Sequence, residues 1–379
     1  MPLLDTVCAL AIVNTHKGRK MYVTEKHRQE LQNQGFTVIE NVVTEKQCDK
    51  WIDEYKVWLS QFKEEEWPFT AHSLLQRYNT GNFETTWKAR LATKKVFSEL
   101  WHTEKLLSSV DAIAIGRPPE TSDEDFARPG QHWLHCDQDA QRKGLHAYQG
   151  GLYLEAAAED DWTFHVLKGS HKFIGEFYNE NKKAAFRSSL NKYYHMKDEN
   201  IEWFESKGCK QARVAAPKGG MVLWDSRLIH ANVRPVEGRN NPERWRFVVL
   251  SCMGPAIWAS KKDIESKKDA YNSVAMTTHW PCQGVNMMKS QIPSFCRSDV
   301  TMPTEQCETA KSKTVKELCG VISYNFKDEK SNGPNWTPEW GEELNVPNDK
   351  MVNSKFQLNR TYVAVLVLSL VVVFIAYQF

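Results

Sequence analysis

Hydrophobic positions change their period along the chain. Residues 23–35, VTEKHRQELQNQG, have the form of a helix, with Thr24 as N-cap and Gly35 as the C-terminal stop. The next run, FTVIENVV (36–43), alternates as a strand does. In TEKQCDKWIDEYKVWLSQF (44–62), Thr44 caps a second helix, and Cys48, Trp51, Ile52, Tyr55, Trp58, Leu59 and Phe62 form one apolar stripe. Aromatic residues at that spacing belong to a core. From about residue 110 to 253 the period becomes two. VDAIAIG, GGLYLEAAA, TFHVLKG, ARVAAP, GMVLWDSRLIHANVRP and RWRFVVLSCMG are short β-type runs punctuated by Gly, Pro and Asp. One polar, helical interruption spans 171–207. Short strands with long polar insertions predict a mainly β fold with flanking helices, a sandwich or jelly roll and not a parallel α/β sheet.

This pattern divides the chain into an N-terminal segment (1–22), a β-rich domain (23–255) and a polar arm and linker (256–354), with a final apolar stretch at 361–379. That last stretch, TYVAVLVLSLVVVFIAYQF, has no charged side chain, follows Lys355 and Arg360, and carries Tyr362 and Tyr377 near its ends. About 20 apolar residues let a helix cross a bilayer, and interfacial tyrosines with a basic flank suit that placement. The expectation is a single-pass tail anchor with the bulk of the protein facing the cytosol. At the other end, Asp5 and the lack of a preceding basic residue argue against a secretory signal over the apolar patch 7–13.

Composition narrows the function. A net charge of +2 on 379 residues, with no long basic run, gives no reason to expect nucleic-acid binding. The nine cysteines are scattered and form no CxxC pair, which argues against a disulfide framework or zinc site and for a reducing compartment.

Candidate chemistry lies in QHWLHCDQ (131–138), where His135 and Asp137 are two apart and a strand would point both to one face. A mononuclear iron(II) oxygenase site needs two imidazoles and one carboxylate on one side of the metal. The third ligand must come from a distant strand, and His230, at the end of an apolar run, is the best candidate. His165 and His171 are alternatives, whereas the odd offset of His132 from His135 sends it to the other sheet face. TTHWPCQG (277–284) has the look of a structural loop, with packing over the pocket mouth as the alternative.

HWLHCDQ, VLKGSHKF, GGMVLWDSRLIHANVRP and RWRFVVLSC, in that order, resemble the motif set of the phytanoyl-CoA dioxygenase family, and LQNQGFTVIENVVTEKQCDKW is similar to that family's opening. The resemblance covers roughly residues 23–255. It implies a double-stranded β-helix (a cupin-like jelly roll) using Fe(II), 2-oxoglutarate and dioxygen, with ascorbate a candidate accessory. It also implies His135, Asp137 and His230 as metal ligands and catalytic centre, with a strand arginine, Arg246 or else Arg244, clamping the 2-oxoglutarate carboxylate. The chain departs from the family at Cys136, where glutamine is usual, at Gly151, where tryptophan is common, and at Lys168 in place of a proline-containing turn. Asp137 favours hydroxylation over the halogenation of relatives that lack the carboxylate. The substrate would be a small molecule or lipid near a membrane. The rival is a catalytically silent jelly-roll binding or scaffold protein tethered to a membrane.

Overall fold

The computed structural model describes residues 21–63, 67–68, 70–288, 292 and 299–342. Two antiparallel sheets face each other. The larger runs in the order Phe36–Ile39, Met221–Asp225, Tyr148–Tyr153, Arg246–Pro255, Ile113–Gly116, Leu74–Leu75, and Leu106–Ser108 adds to the far end of Arg246–Pro255. The smaller runs Lys210–Val214, Thr163–Lys168, His230–Val233, His135–Cys136, Tyr194–His195. From residue 113 onwards most successive strands cross from one sheet to the other, which is how a double-stranded β-helix is wound. The predicted runs become strands, and GMVLWDSRLIHANVRP supplies two, one to each sheet.

The two amino-terminal helices form where their caps predict. Glu25–Gln34 starts at Thr24, which accepts from the His27 amide, and stops at Gly35, whose φ of 87° suits a residue without a Cβ. Glu45–Leu59 starts at Thr44 and buries the predicted stripe. With the 18-residue helix Glu84–Trp101 it lies on the outer face of the larger sheet: Thr93 Oγ1 meets Ser251 Oγ at 2.9 Å, and Trp101 Nε1 donates to the Met253 carbonyl at 2.8 Å. The interruption 171–207 contains the helices Ile174–Glu180, Lys182–Asn191 and Asp198–Ser206. They cover the outer face of the smaller sheet, where Cys136, Leu167, Ile229 and Ala231 meet Phe177 and Phe204.

Residues 256–342 pack into the same core as the β domain. Trp258 stacks edge-on against Trp101 at 5.0 Å and donates to the Trp336 carbonyl. The short strand Glu339–Trp340 pairs with Arg142–Lys143, and the Arg142 guanidinium lies between Trp280 (3.5 Å) and Trp340 (4.3 Å). Among the described residues no helix is long and apolar enough to cross a membrane, and the anchor predicted at 361–379 lies outside them. The described cysteines are all free thiols.

Three histidines away from the predicted metal ligands, His146 buried and His72 and His165 half-buried, have no carboxylate partner among the described residues to keep them charged. Burial, then a nearby arginine, lowers His72, His146 and His165 from 6.5 to about 4. In the unfolded chain each takes up its proton near 6.5, before the folded protein does. Stability therefore falls as pH drops from 6.5 towards 4. The urea unfolding midpoint is expected to be lower at pH 5 than at pH 7.5, and equal midpoints would contradict this burial.

Candidate metal centre

His135 opens one strand of the smaller sheet and His230 opens its neighbour, and the two are direct cross-strand partners. Partners in register share a face, so both imidazoles turn into the space between the sheets, with ring centroids 4.5 Å apart. Asp137, two residues past His135, comes to the same side. Its Oδ1 lies 3.4 Å from His135 Nε2 and its Oδ2 3.4 Å from His230 Nε2. One ligand atom from each of the three residues falls within 4.8 Å of the others, and all three are largely buried.

The tautomers follow from backbone carbonyls. His135 Nδ1 lies 2.9 Å from the Trp133 carbonyl, and His230 Nδ1 lies 2.9 Å from the Leu228 carbonyl. A carbonyl only accepts, so each Nδ1 carries the hydrogen and each Nε2 presents a lone pair towards Asp137. Burial and the neighbouring His135 lower His230 to about 4, which keeps it neutral at physiological pH, as a ligand must be. Burial alone would raise Asp137, but His279, His135 and His230 outweigh it and hold this carboxyl well below the usual range. Gln149 Nε2 donates to Asp137 Oδ2 at 3.0 Å and fixes the carboxylate. Two imidazoles and one carboxylate, each oriented by an outer partner, are the donor set of a mononuclear iron(II) site.

The other histidines stand elsewhere. His132 pairs with Asp198 at 3.0 Å, and His171 reaches the Gln32 carbonyl. His165 faces away from the inner residues Phe164 and Val166 on its own strand.

The strand Tyr148–Tyr153 lines the interior from the metal group to the arginine. Gln149 touches Asp137 at one end, and Tyr153 approaches Arg246 at the other, its hydroxyl 3.5 Å from Nη2. Between them Val248 packs down onto Gly151, where a Cβ would come within 2.9 Å of Val248 Cγ1. Arg246 is 4% exposed. It donates to the Trp162 carbonyl (3.1 Å) and to Asn232 Oδ1 (2.9 Å), the latter on the His230 strand, while its Nε has no partner. Among the described residues no carboxylate pairs with it. Arg244 is different: it precedes the strand and pairs with Asp161 at 2.8 Å. Arg239, which looks like a solvated loop residue in the sequence, is buried and bound by Glu120 and Asp161, because both partners come from distant loops.

Cys136 points out of the barrel into the helical side, its thiol beside the Gln138, Ser226 and Arg227 carbonyls, so this departure from the family pattern does not touch the site. Trp224 and Phe164 flank the His230 ring, each at 5.3 Å. A cleft of about 480 Å³ opens beside the group, lined by His72, His132, Trp133, His195, Asn232 and Arg234 among others. Trp133 stacks on His72 at 4.3 Å and against His135 at 4.4 Å, so the cleft wall is continuous with a metal-ligand candidate.

Gln149, Asn232, Tyr153 and His279 carry no local signal that sequence reasoning used. The segment TTHWPCQG is more than a structural loop: it brings His279 Nε2 to 4.0 Å from Asp137 Oδ2.

The fold and site together define a double-stranded β-helix with a His-Asp-His group inside it. No family model matches the chain. Among curated proteins it is similar to Ava biosynthesis cluster protein O of Aspergillus versicolor, 27% identical over 279 residues, 69% of this chain and 87% of that protein. The crystal structure of GlcNAc Inducible Gene 2, GIG2 (DUF1479), from Candida albicans superposes with a TM-score of 0.54 at 13% identity, over 82% of this chain and 79% of that one, a likeness of fold. EctD from S. alaskensis, crystallised with 2-oxoglutarate and 5-hydroxyectoine, aligns at a TM-score of 0.42 and 10% identity, over 65% of this chain and 81% of that one.

Proposed function

We propose that the chain is an Fe(II)/2-oxoglutarate-dependent dioxygenase that hydroxylates a small organic or lipidic substrate. The observation that carries this is Arg246. A guanidinium buried between the sheets, with an unpartnered Nε and no carboxylate beside it, is costly unless an anion arrives. Arg90 and Arg142 are also buried, but each stacks on tryptophan outside the barrel interior and serves packing. Arg246 instead shares the interior with the His-Asp-His group, and the strand Tyr148–Tyr153 touches both, Gln149 at Asp137 and Tyr153 at Arg246. A dicarboxylate fits this arrangement, with one end at the metal and the other in the arginine fork.

His135, Asp137 and His230 would hold Fe(II), and Arg246, with Asn232 and Tyr153 beside it, would hold the distal carboxylate of 2-oxoglutarate. When bound, the iron and co-substrate would supply the oxidising chemistry: 2-oxoglutarate, dioxygen and a C–H substrate give succinate, carbon dioxide and the hydroxylated product, one oxygen atom going to succinate and the other to the substrate. The chain's own contribution is positional. Trp133 and His135 Nδ1 lock one imidazole, Leu228 locks the other, and Gln149 holds the carboxylate. Trp224 and Phe164 exclude water from the His230 side. The cleft at Trp133 and His72 would admit the substrate next to the ligand set. The rival, a silent scaffold, drew its support from Cys136 and Gly151. Cys136 lies outside the interior, and Gly151 is the place where Val248 packs close to the strand, so neither favours that view.

The apolar run 361–379 supports, on hydropathy alone, tethering of this domain to a membrane.

The test is an anaerobic titration of the full chain with Fe(II) and then 2-oxoglutarate. The expected result is a weak visible charge-transfer band that needs both, and succinate on admitting dioxygen. A folded protein that gives neither overturns the proposal.

A further inference from the structure

His279 is the one histidine beside the metal group that its ligand set does not use. The segment that carries it is firmly held on both sides. Thr277 exchanges hydrogen bonds with Val110, its amide to the carbonyl at 2.8 Å and its Oγ1 receiving the amide at 2.9 Å. Trp280 is 4% exposed, clusters with Ala147 and Cys252, and lies under Arg142. The imidazole between these anchors cannot drift far. Its Nε2 is buried and has no hydrogen-bond partner.

The nearest anion, Asp137 Oδ2, is 4.0 Å away, beyond hydrogen-bond reach, and already receives Gln149. Nor does His279 belong to the set of ligand atoms that lie within 4.8 Å of one another. Two donors on one ion are at most about 4.2 Å apart, twice a metal–nitrogen bond. His279 therefore stands just outside the ligand sphere, on the Asp137 side. An unpaired buried nitrogen is destabilising, and a rigid segment that holds it there asks for a partner entering with the metal.

We propose that His279 is a positioning residue whose Nε2 hydrogen-bonds the oxygen ligand, water in the first instance, that an ion at His135, Asp137 and His230 carries on its open face. This rests on the metal centre proposed above and extends it to the arm: the centre is complete only when residues 277–280 are docked.

The probe is cobalt(II) alone, added to the full chain and followed by its visible d–d absorption and by calorimetry, with no co-substrate. His279→Phe keeps a flat ring without polar atoms, and His279→Gln keeps a hydrogen-bonding group. The phenylalanine variant is expected to bind cobalt(II) about tenfold more weakly, as outer-shell losses do, with an altered d–d envelope, and the glutamine variant to recover most of both. His279→Leu takes the place of phenylalanine if that protein does not fold. Wild-type affinity and spectrum in the apolar variant would overturn the proposal and leave the metal centre standing. A folded wild type that binds no cobalt(II) would overturn both.

Discussion

Asp137→Ala is expected to abolish Fe(II) binding at the centre, and with it the 2-oxoglutarate band and substrate-independent succinate formation. Asp137 supplies the only carboxylate in the three-residue set, and two histidines with a third nearby face it. Loss of an outer-shell partner lowers metal affinity 10–100-fold, and loss of a direct ligand should exceed that range. His135→Ala should behave alike, because its partner His230 cannot hold an ion with Asp137 alone. Anaerobic titration with Fe(II) checks both variants, with circular dichroism reporting that they fold. Retained succinate formation in either would mean that the chemistry resides elsewhere.

The second large effect is on the co-substrate. Arg246→Ala should weaken 2-oxoglutarate binding at least about 30-fold, since removing one member of a buried charge pair costs about 2 kcal/mol or more. Fe(II) binding should be unchanged, because Arg246 touches Asn232, Tyr153 and Trp162 and none of the three ligands. Arg246→Lys keeps the charge but loses the planar fork, so a partial loss is expected. Arg244→Ala is the control: its guanidinium is engaged with Asp161 and touches neither Asn232 nor Tyr153, so its removal should leave 2-oxoglutarate affinity within about threefold. Isothermal titration in the presence of Fe(II) separates the four proteins. An Arg246→Ala variant that binds 2-oxoglutarate normally would point to an iron enzyme of another kind.

Much of this molecule was legible in its sequence because the determinants are local. Thr24, Gly35 and Thr44 announce helix ends by their own backbone chemistry. The alternation at 163–168 announces a strand with an inner and an outer face, and the continuous apolar run at 221–224 announces one covered on both. The same period places His135 and Asp137 together, and His230 follows from the need for a ligand on another strand. The arginine was harder. Arg244 and Arg246 have the same parity, and only the ladder, which begins at 246, and the Asp161 ion pair separate them. Arg239 looked solvated because its partners Glu120 and Asp161 lie far away in sequence. His279 was invisible for a similar reason: its place depends on how the arm docks, and no period in TTHWPCQG encodes that contact.

The strand Tyr148–Tyr153 acts as a ruler. Gln149 and Tyr153 are four residues apart on one face, and a strand rises about 3.3 Å per residue, so the distance between the metal end and the arginine end is set by backbone hydrogen bonds to Met221–Asp225 and Arg246–Pro255. On the proposed reading, such a gauge sets the reach of the diacid held between the metal group and Arg246, and an acid one methylene longer or shorter is expected to bind more weakly. Substitutions around the outer cleft can change which substrate is admitted without altering that measure.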